Sequence, residues 1–391
     1  MEQLKNKQVA IIGGGPGGLT LATLLQQKGV QVKVYERDKD QYVRQQGATL
    51  DLHYNSGLAA LGAANLMDEF TKNYRPGADK IRVLNGHGKL FYDEHVSGKS
   101  LLDFNSPYSR PEIDRGPLRD MLIASLQRGT IVWDAQFAEM QPNGEGWQVF
   151  FKNGTSVYAD LVIAADGGNS KVRKYVTGIQ PVYSGVTIVD GTIYNAKENV
   201  PKLWELTNGG KVFVMGNGKT LWLSSKGDGS LNAYTTTAEP EGWVAASGID
   251  FNDKAQVKQW FIERYAEWSD VWLEIFETDD SFFVPRPQYH FPENQHWEPH
   301  TNVTLLGDAA HRTPPSGDGV NQAMLDALVL SRALTGNNSK SVYDAIAVYE
   351  QDMLVRAAET TREALDFVEI LRSENALDTM LEFFTASHHS E

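Results

Sequence analysis

The residues with the clearest chemistry are three glycines near the beginning of the sequence, Gly13, Gly15 and Gly18, at the spacing G-x-G-x-x-G. Glycines at this spacing permit a tight turn and a close approach of the backbone to a pyrophosphate, which the N-terminus of a following helix would stabilise. Glu36 comes about twenty residues later, where a carboxylate can accept hydrogen bonds from ribose hydroxyls and disfavours a 2′-phosphate. The motif therefore predicts a site for FAD or NAD rather than NADP.

Two later acids, Asp166 and Asp308, each follow an apolar run typical of a buried strand. At the carboxyl end of a strand in an open α/β sheet, an acid lies where ligands bind. After Asp308, a loop rich in proline and glycine leads to residues 319–321, which we expect to begin a helix whose free amides face electron-rich flavin atoms. We interpret His311 as a structural hydrogen-bond partner rather than a catalytic residue. Arg119 lies near the start of another predicted helix, where the helix dipole disfavours a cation, and this placement indicates that it faces an anion.

Strands and helices of an α/β fold must position these residues. We predict a strand over 9–12, a helix over 19–28 and a second strand over 30–35, which is the arrangement found around a bound dinucleotide. Between 185 and 237, short strands alternate with Asn-Gly and glycine-rich turns, which predicts an antiparallel sheet inserted into the α/β framework.

The predicted fold class is therefore α/β, with a Rossmann-like FAD-binding domain, an inserted antiparallel β-sheet domain and a long C-terminal bracing helix. We predict that the FAD-binding domain has two parts, the first over 1–180 with a small β excursion near 76–105 and the second over 276–335. A substrate-binding sheet over 181–275 would lie between them, and C-terminal helices would follow over 336–391. Among the helices, we predict one over 58–70, one over 257–272 with an aromatic face, and two near the end over 341–371 and 376–384.

Composition excludes several classes of protein. The formal net charge of the 391 residues is −14, which argues against a nucleic-acid backbone or an anionic membrane as a partner. The absence of cysteine excludes disulfides, thiol nucleophiles and flavin linkage through sulfur. No uncharged run reaches transmembrane length, and no metal site is predicted. We expect a cytoplasmic protein without a membrane partner; a monomer is plausible, and the oligomeric state stays open.

Three separated motifs resemble those of the group A flavoprotein monooxygenases, the para-hydroxybenzoate-hydroxylase-like enzymes. They are Gly13–Gly18 with Glu36-Arg37, Asp166-Gly167 with Ser170 and Arg173, and Gly307-Asp308 through Asn321. Within that group the chain is most similar to the tetracycline-inactivating flavin monooxygenases, and the likeness lies in Tyr35–Asp38, Thr49–His53, Asn153–Arg173 and Pro314–Leu328. Together the motifs span nearly the whole chain.

This resemblance implies a role for individual positions toward FAD. It implies that Gly13, Gly15 and Gly18 contact the pyrophosphate, that Glu36 contacts the adenosine ribose, and that Arg119 contacts the phosphate or the ribityl chain. Asp308 would contact the ribityl chain, Arg37 and Gly47 would lie near the isoalloxazine, and Asp166 belongs to a motif that serves both FAD and NAD(P)H. The loop and helix start beside the flavin would consist of Pro315, Gly317, Gly319, Val320 and Asn321. No second G-x-G-x-x-G occurs, which agrees with this group, because its members have no separate nicotinamide domain.

The resemblance also implies a mechanism and a substrate class. In such enzymes NADPH or NADH reduces FAD, O2 adds to the reduced flavin as a C4a-hydroperoxide, and one oxygen atom passes to an aromatic or polycyclic small molecule. No catalytic side chain is required. Two other classes remain open: a flavoprotein reductase or dehydrogenase on the same scaffold, and a non-catalytic flavoprotein that sequesters a ligand.

Two departures from the family pattern affect the interpretation. The loop from Pro315 to Gly319 is one residue shorter than the usual P-x-x-G-x-G, and Asp318 adds a charge near the flavin. On the predicted substrate sheet, Asp190, Lys211 and Asn232 stand where tetracycline-inactivating members carry Gln, Arg and His, whereas Phe213 and Trp222 keep apolar or aromatic character. Because a guanidinium and an imidazole are lost, tetracycline is one hypothesis beside other aromatic or polyketide-like substrates.

Overall fold

The computed structural model describes residues 2–43, 48–96, 103–314 and 316–386. Its strands are β1 (Val9–Ile12), β2 (Val32–Tyr35), β3 (Leu50–Asp51), β4 (Ile81–Asn85), β5 (Leu90–Asp93), β6 (Glu112–Ile113), β7 (Ile131–Val132), β8 (Phe137–Asn143), β9 (Gly146–Phe151), β10 (Ser156–Ala159), β11 (Leu161–Ala164), β12 (Val182–Ile193), β13 (Lys211–Gly216), β14 (Lys219–Ser225), β15 (Leu231–Ala238), β16 (Ser281–His290) and β17 (Val303–Leu305).

The α-helices of the described residues are α1 (Pro16–Gln27), α2 (Ala59–Ala63), α3 (Met67–Asn73), α4 (Arg115–Ala124), α5 (Ala196–Asn199), α6 (Pro201–Thr207), α7 (Trp243–Ala246), α8 (Lys254–Arg264), α9 (Asp308–His311), α10 (Gly319–Thr335), α11 (Val342–Arg372) and α12 (Ala376–Ala386). Short 3₁₀ helices occupy Glu2–Leu4, Arg173–Tyr175 and Asp270–Phe276, and a π-helical turn occupies Tyr54–Leu58.

A parallel sheet in the order β17-β11-β1-β2-β7 forms the centre of the first structural unit within the described residues. All residues of β1 and β11 are buried, as expected for parallel strands that are covered on both faces. Helix α1 follows β1 directly and packs against α10. The predicted α/β fold class is confirmed, and the carboxyl ends of β1, β2, β11 and β17 meet at one edge of the sheet.

A second sheet has the order β16-β12-β15-β14-β13-β4-β5 within the part of the chain described. Its strands pair antiparallel, except that β13 and β4 are parallel. Two segments outside the predicted 181–275 range belong to it, namely β4-β5 and β16. They join because β13 and β12 would otherwise be open edges at which backbone groups lack partners. The division into domains stays a prediction.

The two faces of this sheet have different neighbours. Alternate residues such as Val212 and Leu223 pack in an apolar core with Trp260, Phe261 and Trp272 of the helical segment that follows β15. The opposite side carries Phe213, Trp222, Tyr234 and Asp190, which are cross-strand neighbours in that order along β13, β14, β15 and β12. We call this side the inner face.

Two predicted helices are shorter than expected. The helix predicted over 257–272 ends at Arg264, and the chain restarts as a 3₁₀ helix at Asp270, where the Ser269 side chain accepts a hydrogen bond from Val271 N. The helix predicted over 58–70 divides into α2 and α3, because Asn65 between them has a φ of 58°. The aromatic residues predicted to share a face of 257–272 are buried nonetheless.

The C-terminal helices lie where the sequence predicts them. Helix α11 has 31 residues, and its N-cap is Ser341, whose side chain accepts a hydrogen bond from Asp344 N at 3.1 Å. It contacts α10 of the first unit and β14 of the second sheet. None of the helices described has the length and apolar character needed to cross a membrane.

Candidate cofactor and substrate site

A cavity of about 460 Å³ lies at the carboxyl edge of the parallel sheet. Predicted FAD-binding residues make up much of its wall: Gly13, Gly15, Gly18, Glu36, Arg37, Asp166, Asp308, Gly319 and Val320. They come from the ends of β1, β2, β11 and β17 and from the start of α10, so the sheet topology brings together residues more than three hundred positions apart in the sequence. Their individual roles stay predictions.

The three glycines of the first motif have different surroundings. Gly13 has a φ of +112°, and a Cβ there would lie less than 3.0 Å from backbone atoms of Ala165 and Asp166. A Cβ on Gly18 would meet the carbonyl oxygen of Gly13. A Cβ on Gly15 would meet no atom of the described residues within 4 Å. Gly13 and Gly18 are therefore required by the protein's own packing, whereas Gly15 faces open space at the N-terminus of α1, where a pyrophosphate would fit.

The acid at the end of β2 is fixed by backbone amides. Glu36 is buried, its Oε2 accepts a hydrogen bond from Gly14 N at 2.6 Å, and its Oε1 accepts one from Asp38 N at 3.0 Å. Each carboxylate oxygen retains a lone pair for another donor. Glu36 can therefore accept a ribose hydroxyl without reorienting.

Asp166 has an oxygen that the protein does not satisfy. Its Oδ2 accepts a hydrogen bond from Lys171 N at 2.8 Å, whereas its Oδ1 is buried and has no partner among the described residues. Burial raises the pKa of this carboxyl group. Because an unsatisfied buried oxygen is costly, a hydroxyl or amide of a ligand in the cavity is the natural partner. This orphaned oxygen and the open space beside Gly15 both fit FAD.

The structure does not place Arg119 in the cavity wall. Its guanidinium is buried against Asp38, with Nη2 at 3.0 Å from Asp38 Oδ2, and Nη1 donates to the carbonyl oxygen of Gln41. Arg115, one helical turn earlier on α4, lines the cavity instead. The Asp38 carboxylate thus offsets the unfavourable position of Arg119 near the helix start. The role of Arg119 toward the cofactor stays a prediction, and sequence reasoning missed Arg115.

The turn that carries Asp308 is held by a buried ionic cluster. Asp326, which is 0% exposed on α10, accepts hydrogen bonds from Gly307 N at 2.8 Å and from Arg356 Nη2 at 3.0 Å, and its Oδ2 lies 2.6 Å from His311 Nε2. Burial alone would lower the pKa of His311, but the neighbouring Asp326 charge raises it. His311 therefore holds the turn, as expected for a structural residue.

The loop and helix start beside the predicted flavin position differ in part from expectation. Asn321 is fully buried and does not line the cavity; its Oδ1 accepts a hydrogen bond from His53 N at 2.8 Å, and its Nδ2 donates to Asp51 O at 2.9 Å.

Counted from Pro314, the loop reads P-x-x-G-x-G, so it has the usual length and the predicted shortening is wrong. Gly317 has a φ of +93°. The predictions for Gly47 and Pro315 lie outside the described residues.

Asp318, the unusual charge of this loop, has a cationic partner. His53 lies between two carboxylates, with Nδ1 at 3.2 Å from Asp318 Oδ1 and Nε2 at 3.0 Å from Asp51 Oδ2. Burial would lower the pKa of His53, but the hydrogen bonds with Asp318 and Asp51 raise it to about 9. Burial would raise the pKa of Asp51, but His53 and the Lys211 charge lower it to about 2. The loop is therefore tied to β3 by a charged histidine.

We expect the stabilising interaction of His53 with Asp318 and Asp51 to weaken in mild alkali. Because the pKa of His53 is higher in the folded protein than in the unfolded chain, its stabilising effect is complete below about pH 6.5 and is lost as the pH rises through about 9. The loss is at most about 3 kcal/mol in the free energy of unfolding. Urea denaturation of the wild type and of His53→Gln at pH 7 and pH 10 measures it. The stability difference between the two proteins should shrink at pH 10; an unchanged difference would show that His53 is not charged in the folded state.

The five predicted substrate residues all lie on the inner face, but their contacts differ. Lys211 forms an ion pair with the buried Glu112 of β6, whose Oε2 accepts a hydrogen bond from Thr49 Oγ1 at 2.5 Å. Asp190 and Asn232 are buried and bonded to each other, with Asn232 Nδ2 at 2.9 Å from Asp190 Oδ1. The polar side chains predicted to meet a substrate are therefore engaged within the protein.

The aromatic pair, Phe213 and Trp222, is half-buried. The rings of Phe213 and Trp222 lie 5.1 Å apart, and they pack against Phe384 of α12 and Phe367 of α11 respectively. Trp222 Nε1 is buried without a hydrogen-bond partner among the described residues. The C-terminal helices thus help to form the apolar part of the inner face.

A short chain of contacts joins the cavity to the inner face. Arg115 lines the cavity and donates from Nε to the carbonyl oxygen of Ala48 at 3.2 Å, while Ala48 N donates to the Tyr234 hydroxyl at 3.3 Å. Tyr234 lies on β15 between Trp222 and Asp190. Sequence reasoning missed Tyr234, although its alternation with Asn232 along a predicted strand indicated a shared face.

Comparison with known proteins agrees with this geometry. Residues 6–364 match the family described as the FAD binding domain. Monooxygenase penA of Penicillium thymicola is 28% identical over 384 residues, which cover 85% of this chain and 86% of that protein.

Two solved structures show the same fold. The chain superposes on Klebsiella pneumoniae HpxO complexed with FAD and uric acid with a TM-score of 0.74 at 21% identity, covering 99% of this chain and 94% of that one. It superposes on the tetracycline destructase Tet(55) with a TM-score of 0.67 at 20% identity, covering 94% and 87%.

Proposed function

We propose that this chain, which belongs to the family described as the FAD binding domain, is an FAD-dependent monooxygenase that hydroxylates a bulky aromatic or polycyclic small molecule with NADPH or NADH as reductant and O2 as oxidant. Its relative penA of Penicillium thymicola carries the name of a monooxygenase. When bound, FAD would accept electrons from the reduced nicotinamide and activate O2. The remaining work belongs to the protein: binding, orientation and exclusion of water.

The observation that carries this proposal is the connection between the cavity and the inner face. The contacts through Arg115, Ala48 and Tyr234 connect the wall of the cavity to a sheet face with aromatic side chains, so a flavin bound in the cavity would be close to a substrate on that face. Asp166, with its unsatisfied Oδ1, and Asp308 would meet hydroxyl groups of the cofactor. Glu36 would meet the adenosine ribose, which disfavours NADP as the resident ligand but leaves NADPH free to act as a transient reductant.

For the substrate, we propose a polycyclic or aromatic compound and regard tetracycline as the first compound to test. Phe213 and Trp222 offer apolar area for fused rings. Lys211, however, is paired with Glu112, and Asn232 with Asp190, so neither replaces the guanidinium or imidazole of the tetracycline-inactivating enzymes. These contacts favour a substrate other than tetracycline within the same broad class.

The test is oxygen transfer by the FAD-loaded protein under ¹⁸O2. We expect a bound substrate to accelerate oxidation of NADPH or NADH about ten-fold or more, as binding energy is used to promote reaction, and the product to gain one ¹⁸O atom while the other leaves as water. A panel of tetracycline and simpler aromatic acids and phenols with both nicotinamides would identify the preferences. Acceleration without labelled product from any compound would favour a reductase, and binding without acceleration would favour a sequestering flavoprotein.

A further inference from the structure

A buried carboxyl group on the bracing helix α11 has only neutral hydrogen-bond partners. Glu350 is 2% exposed. Its Oε1 lies 2.6 Å from Thr304 Oγ1, and its Oε2 accepts a hydrogen bond from Trp297 Nε1 at 3.0 Å. No ion pair joins Glu350 to a cation among residues 2–43, 48–96, 103–314 and 316–386. A buried carboxylate without a counterion is costly, and such a group takes up a proton instead.

The charged groups of the neighbouring helices are paired with one another. Arg356 of α11 and His311 of α9 both pair with Asp326 of α10, at 3.0 and 2.6 Å. Tyr349, next to Glu350 in the sequence, donates its hydroxyl to a backbone carbonyl of β17 at 2.8 Å. Two buried carboxyl groups of this region thus have opposite surroundings, since Asp326 has two cationic partners and Glu350 has none among the described residues.

The loop that carries Trp297 supplies no counterion either, within the described residues. His296 and Glu298 are exposed and lie 3.9 Å apart as a pair. The guanidinium of Arg173 lies 5.4 Å from the centre of the Trp297 ring, but it donates to backbone carbonyls of α9 and to Gln295 Oε1. Each of these charged groups therefore has partners of its own.

The partners of Glu350 suit a neutral acid. Trp297 Nε1 can only donate, so the oxygen that faces it is the carbonyl oxygen of the acid. The Thr304 hydroxyl can accept as well as donate, so the proton of the acid lies on the oxygen that faces Thr304. Glu350→Gln would reproduce this arrangement without a titratable group, with the amide oxygen toward Trp297 and the amide nitrogen toward Thr304.

The titration of Glu350 falls in the neutral range. Burial raises its pKa from the ordinary 4.5 to about 7, although the hydrogen bonds with Thr304 and Trp297 lower it. Because the pKa is higher in the folded protein than in the unfolded chain, the stabilising effect of the neutral acid is complete below about pH 4.5 and is lost as the pH rises through about 7.

Both partners of Glu350 belong to structures that hold Asp308. Thr304 lies on β17, which ends three residues before Asp308, a residue of the cofactor cavity wall. Trp297 packs beside Arg173, whose Nη1 donates at 3.0 and 2.7 Å to two carbonyl oxygens of α9, the helix that begins at Asp308. The contacts of Glu350 therefore fix α11 against both supports of this turn.

We propose that Glu350 is a positioning residue for the cofactor site, which as a neutral acid holds β17 and the Trp297 loop against α11, and that its ionisation loosens the Asp308 turn and weakens FAD binding. A carboxylate at this position has to gain water or a counterion, and either change opens the contacts with Thr304 and Trp297. The inference concerns cofactor binding alone, so it goes beyond the proposed function and holds for any substrate.

The protonation state is tested by infrared spectroscopy of the FAD-free protein between pH 5 and pH 9. The difference between wild type and Glu350→Gln isolates this group, because other buried carboxyl groups such as Asp166 contribute to both spectra. We expect a carbonyl band of a protonated acid that disappears as the pH rises through about 7. Trp297→Phe removes a hydrogen bond that lowers the pKa and should move the midpoint to higher pH. A wild type without this band at pH 6 would overturn the inference.

The effect on the cofactor is tested by titration with FAD at pH 6 and pH 8, followed by flavin fluorescence. For a pKa of about 7, the neutral fraction of Glu350 falls about ten-fold between these values. We expect wild-type affinity for FAD to fall between about three-fold and ten-fold. Glu350→Gln should bind FAD at both pH values within about two-fold of the wild type at pH 6, because its amide keeps the contacts and cannot ionise.

Glu359→Gln is the matched control, because Glu359 lies on the same helix but is exposed. This variant should keep the infrared band and the pH dependence of the wild type. Equal wild-type affinity at the two pH values, or the same loss in Glu350→Gln, would contradict the role of Glu350 while leaving FAD binding intact. A wild type that binds no FAD at either pH would instead contradict the proposed function, so the two failures are distinguishable.

Discussion

Gly15→Asp is expected to leave the apoprotein folded and to weaken FAD binding about a thousand-fold. Gly15 is the N-cap of α1 with an extended backbone, φ −79° and ψ 176°, and a Cβ there would meet no atom within 4 Å in the part of the chain that the structure describes. Aspartate is a favoured N-cap, so the FAD-free variant should be as stable as the wild type or slightly more so. Toward a pyrophosphate about 4 Å away, the new charge costs about 4 kcal/mol at an effective dielectric constant near 20.

Calorimetric titration with FAD and thermal unfolding of the FAD-free proteins measure the two effects. Gly15→Asn is the matched control, because it has the shape of aspartate without the charge. It should bind FAD about ten-fold or more tightly than Gly15→Asp, since it lacks the repulsion. Wild-type affinity in the aspartate variant would show that no phosphate lies against α1.

Asp326→Asn is expected to lower the free energy of unfolding by about 3 kcal/mol or more. The fully buried carboxylate of Asp326 contacts Gly307 N, His311 and Arg356. Removing its charge leaves the buried His311 without a counterion and leaves Arg356 with only the exposed Asp352. Burial alone would raise the pKa of Asp326, but the His311 charge lowers it, so the group is ionised in the folded protein. FAD retention should fall as well, because the same contacts hold the turn at Asp308.

Asp352→Asn provides the comparison for this effect. Asp352 also pairs with Arg356, at 2.8 Å from Nε, but its side chain is 49% exposed. An exposed pair contributes at most about 1 kcal/mol, so this variant should unfold almost as the wild type does. Equal destabilisation by both substitutions in urea denaturation would contradict the role assigned to burial.

The cofactor cavity was predictable because its signals are local. Each strand that ends at the cavity is a short apolar run, and Gly13, Gly15, Glu36, Asp166 and Asp308 follow such runs at fixed spacing. Parallel strands joined by helices bring their carboxyl ends to one edge, so the topology follows from the pattern.

Other features depend on contacts between distant segments. Arg115 and Arg119 are one turn apart on α4, and the sequence does not show that Arg119 forms an ion pair with Asp38. The pairing of Arg286 with Asp190 joins residues 96 positions apart through the register of β12 and β16. The same long-range pairing adds β4, β5 and β16 to the second sheet, which a prediction based on contiguous composition cannot include.

The most direct test of the account is the cofactor that the apoprotein selects. Calorimetric titration of FAD-free protein with FAD, FMN and NAD compares the predicted ligand with its flavin half and with a dinucleotide that lacks the flavin. We expect one tight FAD site per chain, with FMN and NAD binding far more weakly, because of the three only FAD supplies both an adenosine ribose for Glu36 and a flavin beside α10. Binding of NAD in preference to FAD, or equal binding of FMN, would contradict it.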